Sequence, residues 1–326
     1  MPDAVPSCFR AHGAEHGLPN LTTSFYSTPH GVAALTWART LVGRSLRADL
    51  HLDGHRLITH NIHINPWLFW KKQGSKAFLL GDKLRVRFSW DLARAKFHSA
   101  PEPASGFVFA VDVDGDTTLI AGERRDRDCA GARAARLVLR QEHAFANKAY
   151  ATKARFGGAV HDVCVDCNAC EDDPRLSVFI DRKKVLQVKR LKWKFRGNER
   201  IEFEGVGVQV SWDVYNWLFD DSSYDNNKYA VFALRFEGDR GEEGEEKNWA
   251  ERCEPGKVIP LCKPWEMEKN GKTKKSHKRL LKTSSSSSSS SVSSAGSSTV
   301  MEWNSSEDCE LQSSGGFSLL IHAWRN

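Results

Sequence analysis

Residues 84–91 read LRVRFSWD and residues 206–213 read VGVQVSWD. In the first, Leu84, Val86, Phe88 and Trp90 alternate with Arg85, Arg87, Ser89 and Asp91. In the second, Val206, Val208, Val210 and Trp212 alternate with Gly207, Gln209, Ser211 and Asp213. A period of two sends one set into a core and the other to solvent, which marks a half-buried strand. Helical spacing is confined to two short candidates, residues 132–140 and 91–97. The fold class expected is therefore all-β, built as antiparallel β-sandwiches.

The two segments are also a repeat. Their offset is 206 − 84 = 122 residues, and Phe97 finds its match in Phe219 at the same distance. Upstream, Trp70-Lys71 before Gly74 matches Trp193-Lys194 before Gly197; downstream, Val108-Phe-Ala-Val111 matches Val231-Phe-Ala-Leu234. A weaker match sets Asp53, after Leu50-His-Leu52, against Asp181, after Val178-Phe-Ile180. Two related halves, 26–130 and 131–237, are expected to turn their tryptophan-bearing faces inward onto a shared interior. Residues 1–25, rich in proline and glycine, read as an irregular lead-in.

Beyond the second half the composition changes. Residues 238–312 run from an acidic, glycine-rich stretch through a basic one to twelve serines within 284–298. Such a segment buries too little apolar surface to offset the entropy of ordering, so a disordered linker is expected. Residues 313–326 include the apolar run Phe317-Ser-Leu-Leu-Ile-His-Ala-Trp324, expected to return as a final strand. The chain has 326 residues, with 47 Lys and Arg against 41 Asp and Glu, a net +6. That mild excess does not argue for nucleic acid. No stretch is long and apolar enough to span a membrane. The N-terminal residues lack the pattern of a secretory signal, so an intracellular, cytoplasmic protein with reduced cysteines is expected. The cluster Lys272-Thr-Lys-Lys-Ser-His-Lys-Arg279 admits a nuclear one.

Residues 182–200 hold nine Lys or Arg and one Glu. A hairpin turning at Gly197-Asn198-Glu199 would set Trp193 opposite Phe203 and Phe195 opposite Ile201, and place Lys194 and Lys192 against Glu202 and Glu204. On that register two cations are consumed, leaving Lys189, Arg190, Arg196 and Arg200 as a candidate basic surface. With the aromatics all on the opposite face, base stacking has no platform, and a protein or small anionic ligand is favoured over nucleic acid.

Other constellations carry less. In His161-x-x-Cys164-x-x-Cys167-x-x-Cys170 a spacing of three on a strand sends successive side chains to opposite faces. The cysteines therefore read as small buried hydrophobes, and no metal or cofactor is assigned. Asp91 and Asp213 form the symmetric acidic pair a hydrolase would need, although an aspartate ending a strand more commonly caps the next turn. Trp67 and Phe69 are the hint of a lectin-like carbohydrate site. No catalytic residue is assigned.

Several segments resemble the plant domain-of-unknown-function family numbered 868. They are Ala100-Pro-Glu-Pro-Ala-Ser-Gly106, Ala151-Thr-Lys-Ala-Arg-Phe156, the run from Val188 to Arg200, Val208-Gln-Val-Ser-Trp-Asp-Val214 and Trp217-Leu-Phe219. The likeness extends from about Phe25 to Phe236 and resumes at Met301-Glu-Trp303 and Gly316. It implies a plant protein with a serine-rich linker before a last apolar strand, and carries no established activity or site residue. Two departures stand out: Phe107-Val-Phe109 replaces a tyrosine-rich strand, and Cys164 an aliphatic residue. The sequence thus points to a non-enzymatic β-sandwich module for interaction or ligand binding.

Overall fold

The protein is represented by a computed structural model that describes residues 19–41, 43–52, 57–64, 71–80, 84–123, 135–145, 149–168, 173–219, 229–238 and 316–324. The first half contributes β1 (Pro19–Thr28), β2 (Gly31–Thr40), β3 (Gly43–Leu52), β4 (Leu57–Ile64), β5 (Gln73–Leu80), β6 (Leu84–Asp91), β7 (Lys96–Phe97), β8 (Pro103–Ser105), β9 (Val108–Val113) and β10 (Asp116–Gly122). After it come β11 (Arg136–Phe145), β12 (Ala149–Phe156), β13 (Ala159–Asn168), β14 (Arg175–Ile180) and β15 (Lys183–Val188). The chain then forms β16 (Arg196–Phe203), β17 (Val206–Asp213), the single-turn helix α1 (Tyr215–Phe219), β18 (Tyr229–Phe236) and β19 (Phe317–Trp324).

One nine-stranded sheet, in the order β16-β17-β18-β19-β11-β1-β2-β3-β4, runs through the molecule. Two four-stranded sheets, β10-β9-β6-β5 and β12-β13-β14-β15, complete the layers. Directly opposed residues on paired strands share a face. The succession Leu35, Ser24, Arg140, Leu319, Leu234, Val210 crosses six strands that way. Both small sheets therefore pack on the same face of the large one. The first covers β2–β4, closing a core of Leu46, Leu50, Phe88, Phe109 and Leu119. The second covers β16–β19, closing a core of Leu176, Ile180, Trp212, Phe232 and Ile321. The tryptophan-bearing faces thus close separate cores, not the shared interior expected from sequence. What spans them is the continuous sheet, with polar side chains between the two cores and, on its other face, a smaller apolar cluster of Phe25 and Ala34 with Leu139, Val231 and Leu320.

The matched segments make matching contacts. Trp90 donates its indole N–H to the Lys71 carbonyl at 3.1 Å, and Trp212 does the same to Lys194 at 2.9 Å. Each ring lies over a glycine: a Cβ at position 74 would stand 2.6 Å from Trp90 Cζ2, and one at 197 would stand 2.5 Å from Trp212 Cζ2. Asp91 accepts the Ala93 N–H and Asp213 the Tyr215 N–H, both at 3.0 Å.

Those glycines explain the main error of register. Gly197 read as a turn signal, yet β16 runs straight through it, paired residue for residue with β17 from Arg196–Asp213 to Phe203–Val206. The residue is glycine because a tryptophan occupies the space of its side chain. The actual hairpin turn is Glu204-Gly205, both at positive φ (51° and 81°), the two-residue turn that suits the twist of paired strands. The preceding corner is residues 189–195. The expected pairs Trp193–Phe203, Phe195–Ile201, Lys194–Glu202 and Lys192–Glu204 accordingly do not form.

Three further differences follow from local chemistry. Strand β1 begins at Pro19, inside the stretch read as a lead-in. The described part of the helical candidate 132–140 is strand β11 from Arg136 onward, its polar groups sharing one face with a buried network described below. Residues 91–97 form a turn held by Asp91 instead of a helix. One pairing, β11 with β19, is parallel in an otherwise antiparallel set. The serine-rich linker from 239 to 312, the basic cluster 272–279, Asp53, and the aromatic pair Trp67 and Phe69 lie outside the described residues.

Candidate functional site

The corner between β15 and β16 carries a dense, unbalanced run of positive charge among the described residues. Residues 189–196, Lys-Arg-Leu-Lys-Trp-Lys-Phe-Arg, hold five cations and no carboxylate. Leu191 is fully buried and its N–H bonds the Pro174 carbonyl at 3.1 Å, which pins the corner to the core. Arg190, at φ 55°, turns the chain and accepts the Trp193 and Lys194 N–H groups at 2.9 and 3.2 Å. The Trp212 indole and the Val214 N–H hold the Lys194 and Phe195 carbonyls. The backbone is thus fixed on both sides of Trp193, whose side chain stands out with the residue 85% exposed. Alongside it, Phe195, Tyr215 and Phe219 form an aromatic triangle with centroid separations of 5.4, 5.6 and 5.2 Å.

The four sequence-predicted residues divide here. Lys189 and Arg190 are exposed and without a carboxylate partner among the described residues. Arg196 is engaged, 2.6 Å from Asp213 and with its guanidinium 5.8 Å from the Tyr215 ring centre. Arg200 is engaged too, 2.8 Å from Glu237. Sequence reasoning missed Lys192, Trp193 and Lys194, because the mistaken hairpin register had neutralised the lysines and buried the tryptophan. With the register corrected, the aromatic stands among the cations.

A second polar assembly lies inside, between the two cores, and was also missed. Arg140 donates to Glu102 through both terminal nitrogens, at 2.6 and 3.0 Å, and to Glu142 through Nε at 2.5 Å. Glu142 is fully buried, and accepts further bonds from the Tyr150 and Thr152 hydroxyls, the latter at 3.0 Å. Burial alone would lower the Arg140 guanidinium, but Glu142 and Glu102 outweigh it and hold it raised. Burial first, and then the Glu142 charge, pushes the Tyr150 phenol well up. Every member is satisfied by another, which is what keeps a buried ion group tolerable. Chemically this is a joint: Glu102 reaches across from the loop between β7 and β8, on the first half, to Arg140 on the shared sheet. The available signal was the Arg-x-Glu spacing on one face of a strand, hidden by reading residues 132–140 as helix.

The remaining candidates are placed as follows. Asp213, on the large sheet, is held by Arg196 and the Tyr215 N–H, while Asp91, on the first small sheet, caps its own turn. Along β13, His161 and Cys167 face the core and Cys164 the outer side of the sheet. The His161 Nδ1–H donates to the Asp181 carboxylate at 2.7 Å, and the ring stacks on Phe156, with 4.2 Å between centroids. Cys167 is a buried thiol outside any disulfide, but Cys164 is disulfide-bonded, which corrects the expectation of a reduced cysteine at that position.

The family model described as plant protein of unknown function (DUF868) matches residues 18–325, nearly the whole chain. The chain belongs to the DUF868 family. No curated protein and no solved structure matches it. The match begins one residue before β1 and ends one residue after β19, so the DUF868 unit includes every described strand.

Proposed function

We propose that this DUF868 protein is a non-enzymatic interaction module that engages anionic partners through the 189–196 corner. The observation that carries the reading is Trp193, exposed on a fixed backbone among Lys189, Arg190, Lys192 and Lys194, none of them paired to a carboxylate among the described residues. Tryptophan and arginine are among the side chains that dominate recognition surfaces, and the flanking lysines add a field that steers an anionic partner toward them. The buried ionic group does the opposite work, since its charges are spent on one another across the joint. The test is site-specific photo-crosslinking in plant extract with the probe at position 192, against a control probe at Leu79, which is 67% exposed on β5. Adducts confined to position 192 and weakened by salt are the expected result. Equal labelling at both positions would defeat the proposal.

The two halves further support descent from one eight-stranded unit. β1–β4 correspond to β12–β15, and β5, β6, β9 and β10 correspond to β16, β17, β18 and β19. The tryptophan–glycine contacts and aspartate caps recur at equivalent places in both. On that correspondence the turn Asp114-Gly115, between β9 and β10, occupies the place where the second half carries residues 237–316.

A further inference from the structure

We propose that the 189–196 corner docks the protein on an anionic lipid surface, Trp193 entering the headgroup layer while Lys189, Arg190, Lys192 and Lys194 meet lipid phosphates and carboxylates. The inference rests on reading this corner as the interaction surface, and adds the class of partner.

Three features favour a lipid surface. First, the corner projects: Leu191 is buried and anchors it, while the next residues, Lys192, Trp193 and Lys194, are all exposed. Second, tryptophan is the side chain best suited to the boundary between headgroups and hydrocarbon, and cations flanking it match the charge of that boundary. Tyr215 and Phe219, both exposed by more than two-fifths, extend the apolar rim beside it. Third, the charge is local. Strand β16 leads away from the corner with Glu199, Glu202 and Glu204 exposed, and Glu204 lies 3.6 Å from Lys183. A nucleic-acid strand needs a cationic path several nucleotides long with repeated stacking platforms. Here the path meets carboxylates within one strand, whereas a flat surface needs to touch only the tip.

The test is co-sedimentation of the full chain with phosphatidylcholine vesicles with and without phosphatidylserine. Sedimentation with the phosphatidylserine vesicles alone, falling as salt is raised, is the expected result. Each Lys→Gln or Arg→Gln change among the four cations should lower partitioning about fivefold, the equivalent of about 1 kcal/mol per charge near such a surface. Trp193→Ala should lower it about tenfold or more. All these side chains are exposed, so the variants should melt with the wild type, and Leu79→Ala should bind like it. Failure of the wild type to sediment with either vesicle, or equal sedimentation of the fourfold variant, overturns the lipid assignment. If sedimentation fails while crosslinks from position 192 to protein or RNA persist, the interaction surface stands and only its lipid partner is wrong. If both fail, both proposals go.

Discussion

Acid should loosen the centre of the large sheet, and two histidines set the size of the effect. His143 on β11 and His322 on β19 face each other across the parallel pair, their rings stacked at 4.7 Å and 8°. Burial lowers His143 to about 4; burial, then the charge of His143, lowers His322 to about 3. The Gln141 side-chain nitrogen stands 3.2 Å from His322 Nε2, His143 Nε2 is buried without a partner, and no carboxylate reaches either ring among the described residues. Folding therefore holds both rings neutral, while the unfolded chain protonates them near the ordinary 6.5. Because the unfolded state binds the extra protons, stability is complete above about pH 6.5. It falls as pH drops toward 4 for His143 and toward 3 for His322. At about pH 4.5, two pH units below the ordinary value, each ring contributes a loss of about 2.7 kcal/mol, at about 1.36 kcal/mol per unit. Together the loss is about 5 kcal/mol, a large share of the usual total of about 5–15. His51 and His60 are also lowered, so the decisive comparison is between proteins. Urea unfolding followed by tryptophan fluorescence at pH 7.5 and 4.5 should show the His143→Gln/His322→Gln double variant losing far less than the wild type. Parallel losses in the two proteins would refute the reasoning.

Three more perturbations follow from packing. Gly197→Ala adds a methyl against the Trp212 ring. It should destabilise by about 1–3 kcal/mol in a thermal melt, where an alanine for a strand glycine ordinarily gains about 0.5–1; an unchanged or raised melting temperature contradicts the contact. Arg140→Met leaves Glu142 charged and buried and should cost about 3–5 kcal/mol. Adding Glu142→Gln to it should recover part of the loss, and a strictly additive double variant would show that the two side chains do not act as a pair. Cleavage at a protease site engineered into the serine run should leave the C-terminal fragment bound during gel filtration, because β19 is paired along its length on both sides. Release of the fragment without denaturant would contradict that pairing.

The strands were legible because their chemistry is local. Alternation in 84–91 and 206–213 located β6 and β17, and the apolar run 317–324 became β19. What failed was the meaning of single residues. Gly197 has the composition of a turn and the job of a hole; only the partner strand, carrying Trp212, decides between them. That one substitution of roles moved Trp193 from core to solvent and released Lys192 and Lys194 from their supposed partners. The ionic joint was illegible for another reason: Glu102 and Arg140 are 38 residues apart, on different halves, and neither position carries a local signal of burial. Likewise, the paired motifs around Trp90 and Trp212 were visible, but not that β19 would join β18 to the sheet of β1–β4 through β11.

The placement of β19 has a consequence for how the protein is made. β19 follows β18 in sequence only after residues 237–316 yet sits between β18 and β11, so the large sheet cannot close until residues 317–324 have been synthesised. Before then β18 and β11 each offer an unsatisfied border, inviting wrong partners during biosynthesis. A premature stop codon just before Phe317 would therefore do more harm than the size of the strand suggests, leaving a nascent chain with two adhesive seams and nothing to fill the space between them.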